Sequence, residues 1–187
     1  DSVKARLCVG GHKQSKGVNF WEISSPTPRA TTVKLHLGYA SSRKWNVYTA
    51  DVSQAYVFAS MGVKMYMKMP AEMAAKHPNC VLLLKKSLYG AKQSGRNWFN
   101  EASDAMRSIG YRQLDKDPCC FDRGAGDDKK SAVLLYVDDF LFLGPESEFD
   151  RFMGEMSKRY DITASSKSQS TRSEEQRLNS SHVEQSR

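Results

Sequence analysis

Two hydrophobic periods alternate along the chain. A helical period is clearest at residues 95–109, where Trp98, Ala102, Ala105, Met106 and Ile109 fall on one face and Gly110 supplies a stop. Phe149, Phe152, Met153, Met156 and Tyr160 make a second such stripe, entered through Pro145 with Glu146 and Glu148 in the first turn. Residues 31–41 predict a third helix, with Val33, Leu37 and Ala40 on one face and Thr31 or Thr32 as cap. Strand character is predicted at 3–9, 45–51, 63–69, 81–84, 119–122, 132–136 and 140–143. The 3–9 strand sets Lys4 and Arg6 on one face, and RGAGDD at 123–128 is a strong turn signal between two strands. SSPTP at 24–28 is a loop, and no internal repeat is visible.

From Ser165 the pattern stops. The segment 165–187 is nearly free of apolar residues and is expected to be disordered, leaving 1–164 as the folded part. Its last portion also reads as translated laboratory DNA. Arg172 to Glu175 can be encoded AGATCGGAAGAG and Arg177 to His182 CGTCTGAACTCCAGTCAC, which resemble consecutive pieces of a sequencing adapter after loss of one base. Residues 172–187 are therefore expected to be an artefact. The chain lacks an initiator Met and a signal peptide, which suggests a fragment or a cleaved product.

A length of 187 residues suggests one domain or two small lobes. No apolar run approaches the roughly 20 residues of a membrane span, so no membrane partner is expected. The net charge of +7 points to a polyanion, of which nucleic acid is the commonest. Four cysteines without a Cys-x-x-Cys pair read as reduced thiols of an intracellular protein. Cys8 and His12 have a ligand-like spacing, but no second pair completes a zinc site.

The chemically unusual stretch is LLYVDDFLFL at 134–143, two adjacent carboxylates between two greasy runs. Asp is a common turn residue, and a hairpin tip in water holds such a pair cheaply. The flanking runs, however, should pin the hairpin inside a sheet, so that Asp138 and Asp139 project from a rigid edge. A divalent cation would relieve their repulsion, and carboxylate oxygens suit Mg²⁺. Two ions about 3.5–4 Å apart can activate a hydroxyl and stabilise a leaving oxygen. A third carboxylate is then needed. Asp51, at the end of the strand WNVYTAD, suits this better than Asp104, Asp115 or Asp117, which fall on a helix face or in loops.

At this point the residues match a family. From about Lys4 to Thr163 the chain resembles the reverse transcriptase (RNA-dependent DNA polymerase) domain of copia-type retrotransposon polyproteins. The resemblance rests on an ordered series: KARL at 4–7, SPTPRATTVKL at 25–35, ADVSQAY at 50–56, YMKMP at 66–70, KKSLYGAKQSGRNWF at 85–99, DPCCF at 117–121 and LLYVDDFLFLG at 134–144. It implies an α+β, right-hand polymerase fold, with fingers, a palm of antiparallel sheet and packed helices, and no thumb in this stretch. It implies Asp51, Asp138 and Asp139 as catalytic carboxylates and Asp51, Val52 and Asp138 as ligands of two Mg²⁺ ions, or Mn²⁺. Lys4, Arg6, Tyr56, Tyr89 and Gly90 would meet the incoming dNTP, with Tyr56 beneath the sugar blocking a 2′-hydroxyl. Lys92, Gln93, Arg96 and Tyr136 would touch nucleic acid.

The implied partners are a primed RNA or DNA template, dNTPs, and the RNase H and integrase parts of the polyprotein, in a cytoplasmic virus-like particle. A core tyrosine at 56 and a solvated helix end at 92–96 are the plainer readings of the same residues. The chain departs from the family after ADVSQAY, where VFASMGVKMYM replaces an Asn-Gly and acidic run. It also has Gly95 where Pro is usual and Tyr56 where Phe is usual. The alternative is a catalytically silent, nucleic-acid-binding remnant of such a domain.

Overall fold

A computed structural model describes residues 7–168. In chain order the elements are α1 (Ala30–Ser42), β1 (Asn46–Val52), β2 (Ser60–Lys68), α2 (Ala71–Ala74), β3 (Val81–Lys86), α3 (Ser94–Ser108), β4 (Arg112–Gln113), β5 (Cys120–Arg123), β6 (Ser131–Tyr136), β7 (Asp139–Gly144), α4 (Glu146–Met156) and β8 (Ile162–Ser168). The chain forms two compact units, passing from one to the other after Pro26, Ser53 and Ala105. Helices and antiparallel sheet are mixed throughout, as expected. Among the described residues no helix is long and apolar enough to cross a membrane.

The unit built from residues 27–53 and 106 onwards holds a six-stranded antiparallel sheet in the order β4-β5-β6-β7-β1-β8. Side chains alternate across a strand, and here the alternation separates two cores. Val47 of β1, Leu134 of β6 and Leu143 of β7 lie on the face covered by α1 through Ala40, Val33 and Leu37. The opposite face carries Tyr48, Phe140 and Phe142, which meet Phe149 and Phe152 of α4. Tyr48 and Phe149 stack with centroids 4.1 Å apart, and Phe142 and Phe152 lie 5.4 Å apart. Such ring pairs contribute roughly 0.5–1.5 kcal/mol each beyond their buried area. The stripe read as α4 is thus core. Its last member, buried Tyr160, lies past the helix, its N–H donating to Met156 O at 3.0 Å.

Two expectations change in this unit. Neither Thr31 nor Thr32 is the cap of α1, because the helix begins at Ala30 with Arg29 in the cap position. The Asp117 carboxylate accepts from Arg29 N–H at 2.9 Å and from Cys119 N–H at 3.2 Å, tying the helix start to the loop before β5. The sheet also extends into the segment expected to be disordered. β8 runs through Ser168 and pairs with β1, from Val52↔Ile162 to Val47↔Ser168, with a register shift between Thr49 and Ala50. An edge strand needs only backbone pairing on one side, so a sequence as polar as ITASSKS can supply it. The remainder of the expected tail and the adapter-like stretch 172–187 lie outside the described residues.

The unit of residues up to 26 and 54–105 contains the β2–β3 hairpin. Its inner face carries Met61, Met65 and Leu84 against Ala91, Leu88 and Val9. The expected strand at 3–9 is absent over 7–9, and its first part lies outside the described residues. Instead the Val9 N–H donates to Tyr89 O at 2.8 Å and its carbonyl accepts from Gly11 N–H at 2.9 Å. That approach needs two glycines. Gly90 has φ +88°, and a Cβ there would overlap the Val9 carbonyl oxygen, while one on Gly11 would overlap that of Gly90.

Candidate active site

The site begins with the hairpin. β6 and β7 pair in register, Leu135↔Phe140 and Tyr136↔Asp139, leaving Val137 and Asp138 as a two-residue turn. Val137 has φ +56° and Asp138 has no positive φ, the pattern of a type II′ hairpin. A β-branched residue there is a backbone outlier costing on the order of 1–3 kcal/mol. The surroundings hold it in place. Leu134, Leu135, Phe140 and Phe142 are all buried, and a one-residue slip would move all four to the wrong faces. The greasy flanks of YVDD therefore impose the turn that presents its carboxylates.

β1 lies beside β7, antiparallel, with Asp51 the partner of Asp139. Directly opposed residues share a face of the sheet. Val52 N–H donates to Asp138 O at 3.2 Å, which fixes the turn to the end of β1. Three carboxylates from two distant sequence segments are thus brought to one end of the β7–β1 pair, inside the sheet. Burial, and then the Asp138 charge, raise Asp51 above the usual carboxylate range. Partial desolvation raises Asp139 as well, though much of the residue stays in water, followed by the charges of Asp138 and Asp51. Among the described residues no lysine, arginine or histidine forms an ion pair with any of the three.

This donor set suits a hard divalent cation: anionic oxygens, mutually repelling, with no cation of the described residues paired to them. Nor is it a closed cage, since no group of three His, Cys, Asp or Glu side chains among the described residues is arranged to hold a metal. Mg²⁺ is usually held by one or two carboxylates with water and substrate phosphates completing its shell, and the site fits that pattern. Val52, expected as a ligand, has a buried apolar side chain, so only its backbone can serve.

Two other carboxylates have structural partners. Burial alone would raise Asp117, but bonds from Arg29 N–H, the Thr32 hydroxyl and Cys119 N–H outweigh it and hold the group below the usual range. Asp122 is lowered in the same way, its burial offset by His36 and by Lys129, whose Nζ lies 2.7 Å from Oδ1.

The remaining expected site residues fall into distinct groups. Tyr136 ends β6 opposite Asp139. Tyr56, in a short 3-10 turn at Ala55–Phe58, packs against Tyr89 with centroids 4.5 Å apart, so two of the expected nucleotide contacts do meet. Gly90 has the packing role described above. Lys92 and Gln93 precede α3 rather than opening it. Lys92 Nζ sits 4.8 Å from the Phe20 ring centroid, and Arg96 lies 3.3 Å from Glu22 at the helix start.

Gln93 has partners of its own within the fold. It is buried, accepts from Gln14 Nε2 at 2.9 Å and donates to Asn19 O at 3.1 Å, so its amide is engaged inside its own unit. Sequence reasoning missed Gln14, which also accepts from Lys92 N–H at 2.8 Å and so positions that lysine. A polar contact spanning 78 residues leaves no periodic signal. Lys4 and Arg6 lie outside the described residues.

The mixture of helix and antiparallel sheet agrees with what comparison finds. Residues 2–170 match the family described as reverse transcriptase (RNA-dependent DNA polymerase), and the chain belongs to that family. It is 35% identical over 162 residues to the retrovirus-related Pol polyprotein from transposon TNT 1-94 of Nicotiana tabacum, covering 85% of this chain and 12% of that protein. It is 32% identical over 163 residues to the Pol polyprotein from transposon RE1 of Arabidopsis thaliana, covering 85% and 11%. A truncated transposon Ty1-A Gag-Pol polyprotein of Saccharomyces cerevisiae is 25% identical over 160 residues, covering 84% and 13%. The kinship is with copia-type retrotransposon polyproteins, and the chain spans only about an eighth of the length of these relatives. No solved structure matches.

Proposed function

We propose that this chain is the fingers-palm part of an RNA-directed DNA polymerase, with its nucleotide-transfer site at the end of β1 and the β6–β7 turn. The observation that carries the reading is the register of Asp51 with Asp139 beside the strained turn of Asp138. Asp51 and Asp138, with the Val52 backbone, would hold Mg²⁺ or Mn²⁺, and Asp139 adds negative charge beside them. When bound, such ions polarise phosphoryl oxygens and offset charge on the attacking and leaving oxygens.

The chain's own work is positional. The packed hairpin fixes the carboxylates before substrate arrives, which reduces the reorganisation needed at the moment of reaction. The primer 3′-hydroxyl attacks the α-phosphorus of the dNTP, the bond to pyrophosphate breaks, and the chain grows by one nucleotide. Tyr56, braced by Tyr89, is assigned to the sugar, and a flat ring there excludes an added 2′-oxygen. Lys4 and Arg6 are assigned to the triphosphate, Arg6 through a bidentate guanidinium contact. Lys92, Arg96 and Tyr136 are assigned to template and primer. In the intact element the remaining Pol domains would be its partners.

The test is template-directed incorporation by the full chain, with poly(rA), an oligo(dT) primer, Mg²⁺ and each dNTP in turn. Incorporation of dTTP alone supports the reading. A folded chain that binds the primed template yet incorporates nothing overturns it.

A further inference from the structure

Tyr56 and Tyr89 stand in the same compact unit, and the chain fixes each by a different means. Tyr56 lies in the 3-10 turn Ala55–Phe58, which is tied to the end of β3: Lys86 Nζ donates to Phe58 O at 2.7 Å and Ser87 N–H to Ala59 O at 2.9 Å. Tyr89 is a central residue of the turn Leu88–Ala91, closed by Ala91 N–H donating to Leu88 O at 3.3 Å, with Gly90 after it at φ +88°. What holds that turn is the segment 9–14. Val9 N–H donates to Tyr89 O at 2.8 Å, and Gly11 packs onto the Gly90 carbonyl too closely for a Cβ. Gln14 closes the other end. Its Oε1 accepts from Lys92 N–H at 2.8 Å, its Nε2 donates to Gln93 Oε1 at 2.9 Å, and its backbone carbonyl accepts from Lys92 Nζ at 3.4 Å.

We propose that Gln14 is a positioning residue for nucleotide selection: it holds the 89–93 loop so that the Tyr89 ring braces Tyr56, and so sets how strictly the site demands a deoxy sugar. The proposal rests on the assignment of Tyr56 to the nucleotide sugar. The two rings lie with centroids 4.5 Å apart and planes inclined at 47°. Such a packing contact gives way when the backbone behind either ring shifts, and a displacement of about 1 Å is costly where reacting groups must be aligned. Glutamine suits the task because its amide presents an acceptor and a donor at the end of one uncharged side chain. Methionine matches its length and offers no such pair, while a carboxylate replaces the acceptor alone.

Incorporation of dTTP and of rUTP on poly(rA) primed with oligo(dT) tests it on the full chain. Gln14→Met should raise KM for dTTP and lower the preference for dTTP over rUTP in kcat/KM, each about 3- to 10-fold, as expected for losing one or two hydrogen bonds, with kcat nearly unchanged. Gln14→Glu, which keeps the acceptor for Lys92 N–H, should recover most of both. The NMR cross-relaxation between the Tyr56 and Tyr89 rings should weaken in Gln14→Met and return in Gln14→Glu. A role confined to stability would instead lower the active fraction, and hence the apparent kcat, at unchanged KM and preference, and that result overturns the proposal. Tyr56→Ala separates the two claims. If it loses the preference while Gln14→Met keeps it, the positioning role falls and the sugar assignment stands. If Tyr56→Ala keeps the preference, or the parent chain incorporates neither nucleotide, the assignment falls and this proposal with it.

Discussion

Replacing Asp138 by Asn should stabilise the metal-free protein while destroying its proposed activity. In the folded chain Asp138 raises both Asp51 and Asp139, and no ion pair among the described residues offsets the three charges. Asp138 is the chain neighbour of Asp139 and lies beside the end of β1, so a separation on the order of 6 Å sets the scale for its two carboxylate pairs. Coulomb repulsion at that distance is about 0.7–1.4 kcal/mol per pair for an effective dielectric between 80 and 40. Asp139 is exposed and its share is screened, so the gain expected for Asp138→Asn is about 1 kcal/mol, or roughly 2–4 °C in Tm for a protein of this size.

Because the folded carboxylates are raised, their favourable contribution is present below the unfolded value and is lost as pH rises through the folded one. The difference between parent and variant should thus vanish in acid and be full at neutral pH. Screening in 1 M salt should shrink it, and millimolar Mg²⁺ should raise the Tm of the parent but not of the variant. Differential scanning calorimetry at acid and neutral pH, in low and 1 M salt, and with and without Mg²⁺, reads all of this. A variant that melts lower, or a gain that persists unchanged in 1 M salt, would refute the electrostatic account of the site.

Three further predictions concern the scaffold. Gly90→Ala places a Cβ onto the Val9 carbonyl oxygen at φ +88° and should destabilise the fold by about 3 kcal/mol or more in urea unfolding. Asp122 is held below the usual range by His36 and Lys129 against its burial, so its stabilisation is present above the unfolded value and lost as pH falls through the folded one. Asp122→Asn should accordingly weaken the protein at neutral pH and flatten its acid-unfolding slope in a pH series of Tm. Burial pushes the Cys119 thiol up to about 12 and Cys120 higher still, while Cys8 and Cys80 are exposed. A thiol reagent should modify Cys8 and Cys80 quickly in the native protein and reach the buried pair only on unfolding.

Legibility in the sequence followed the apolar pattern. The β6–β7 hairpin, α3 and α4 could be read because each buries a full face or stripe, and burial writes itself as period 2 or 3.6. β8 could not, because an edge strand made mostly of polar residues is specified by its partner's backbone. Asp51 could be nominated from the strand that ends on it, yet its register with Asp139 is a property of sheet order that no local pattern records. The burial of Gln93 and Asp117 was not legible for a related reason. Partners distant in the sequence, Gln14 for one and Arg29 for the other, bring both inside. Gly90 carried a functional expectation from its motif, and the chain also needs it for close backbone approach.

The central claim is that Asp51 and the hairpin carboxylates form one centre for nucleotide transfer. Single-nucleotide primer extension by the parent chain, Asp51→Asn and Asp138→Asn, each shown to be folded and to bind the primed RNA template equally, tests it directly. Extension by the parent that is lost in both variants is the predicted result. Extension that survives either substitution would place the chemistry elsewhere and contradict the account.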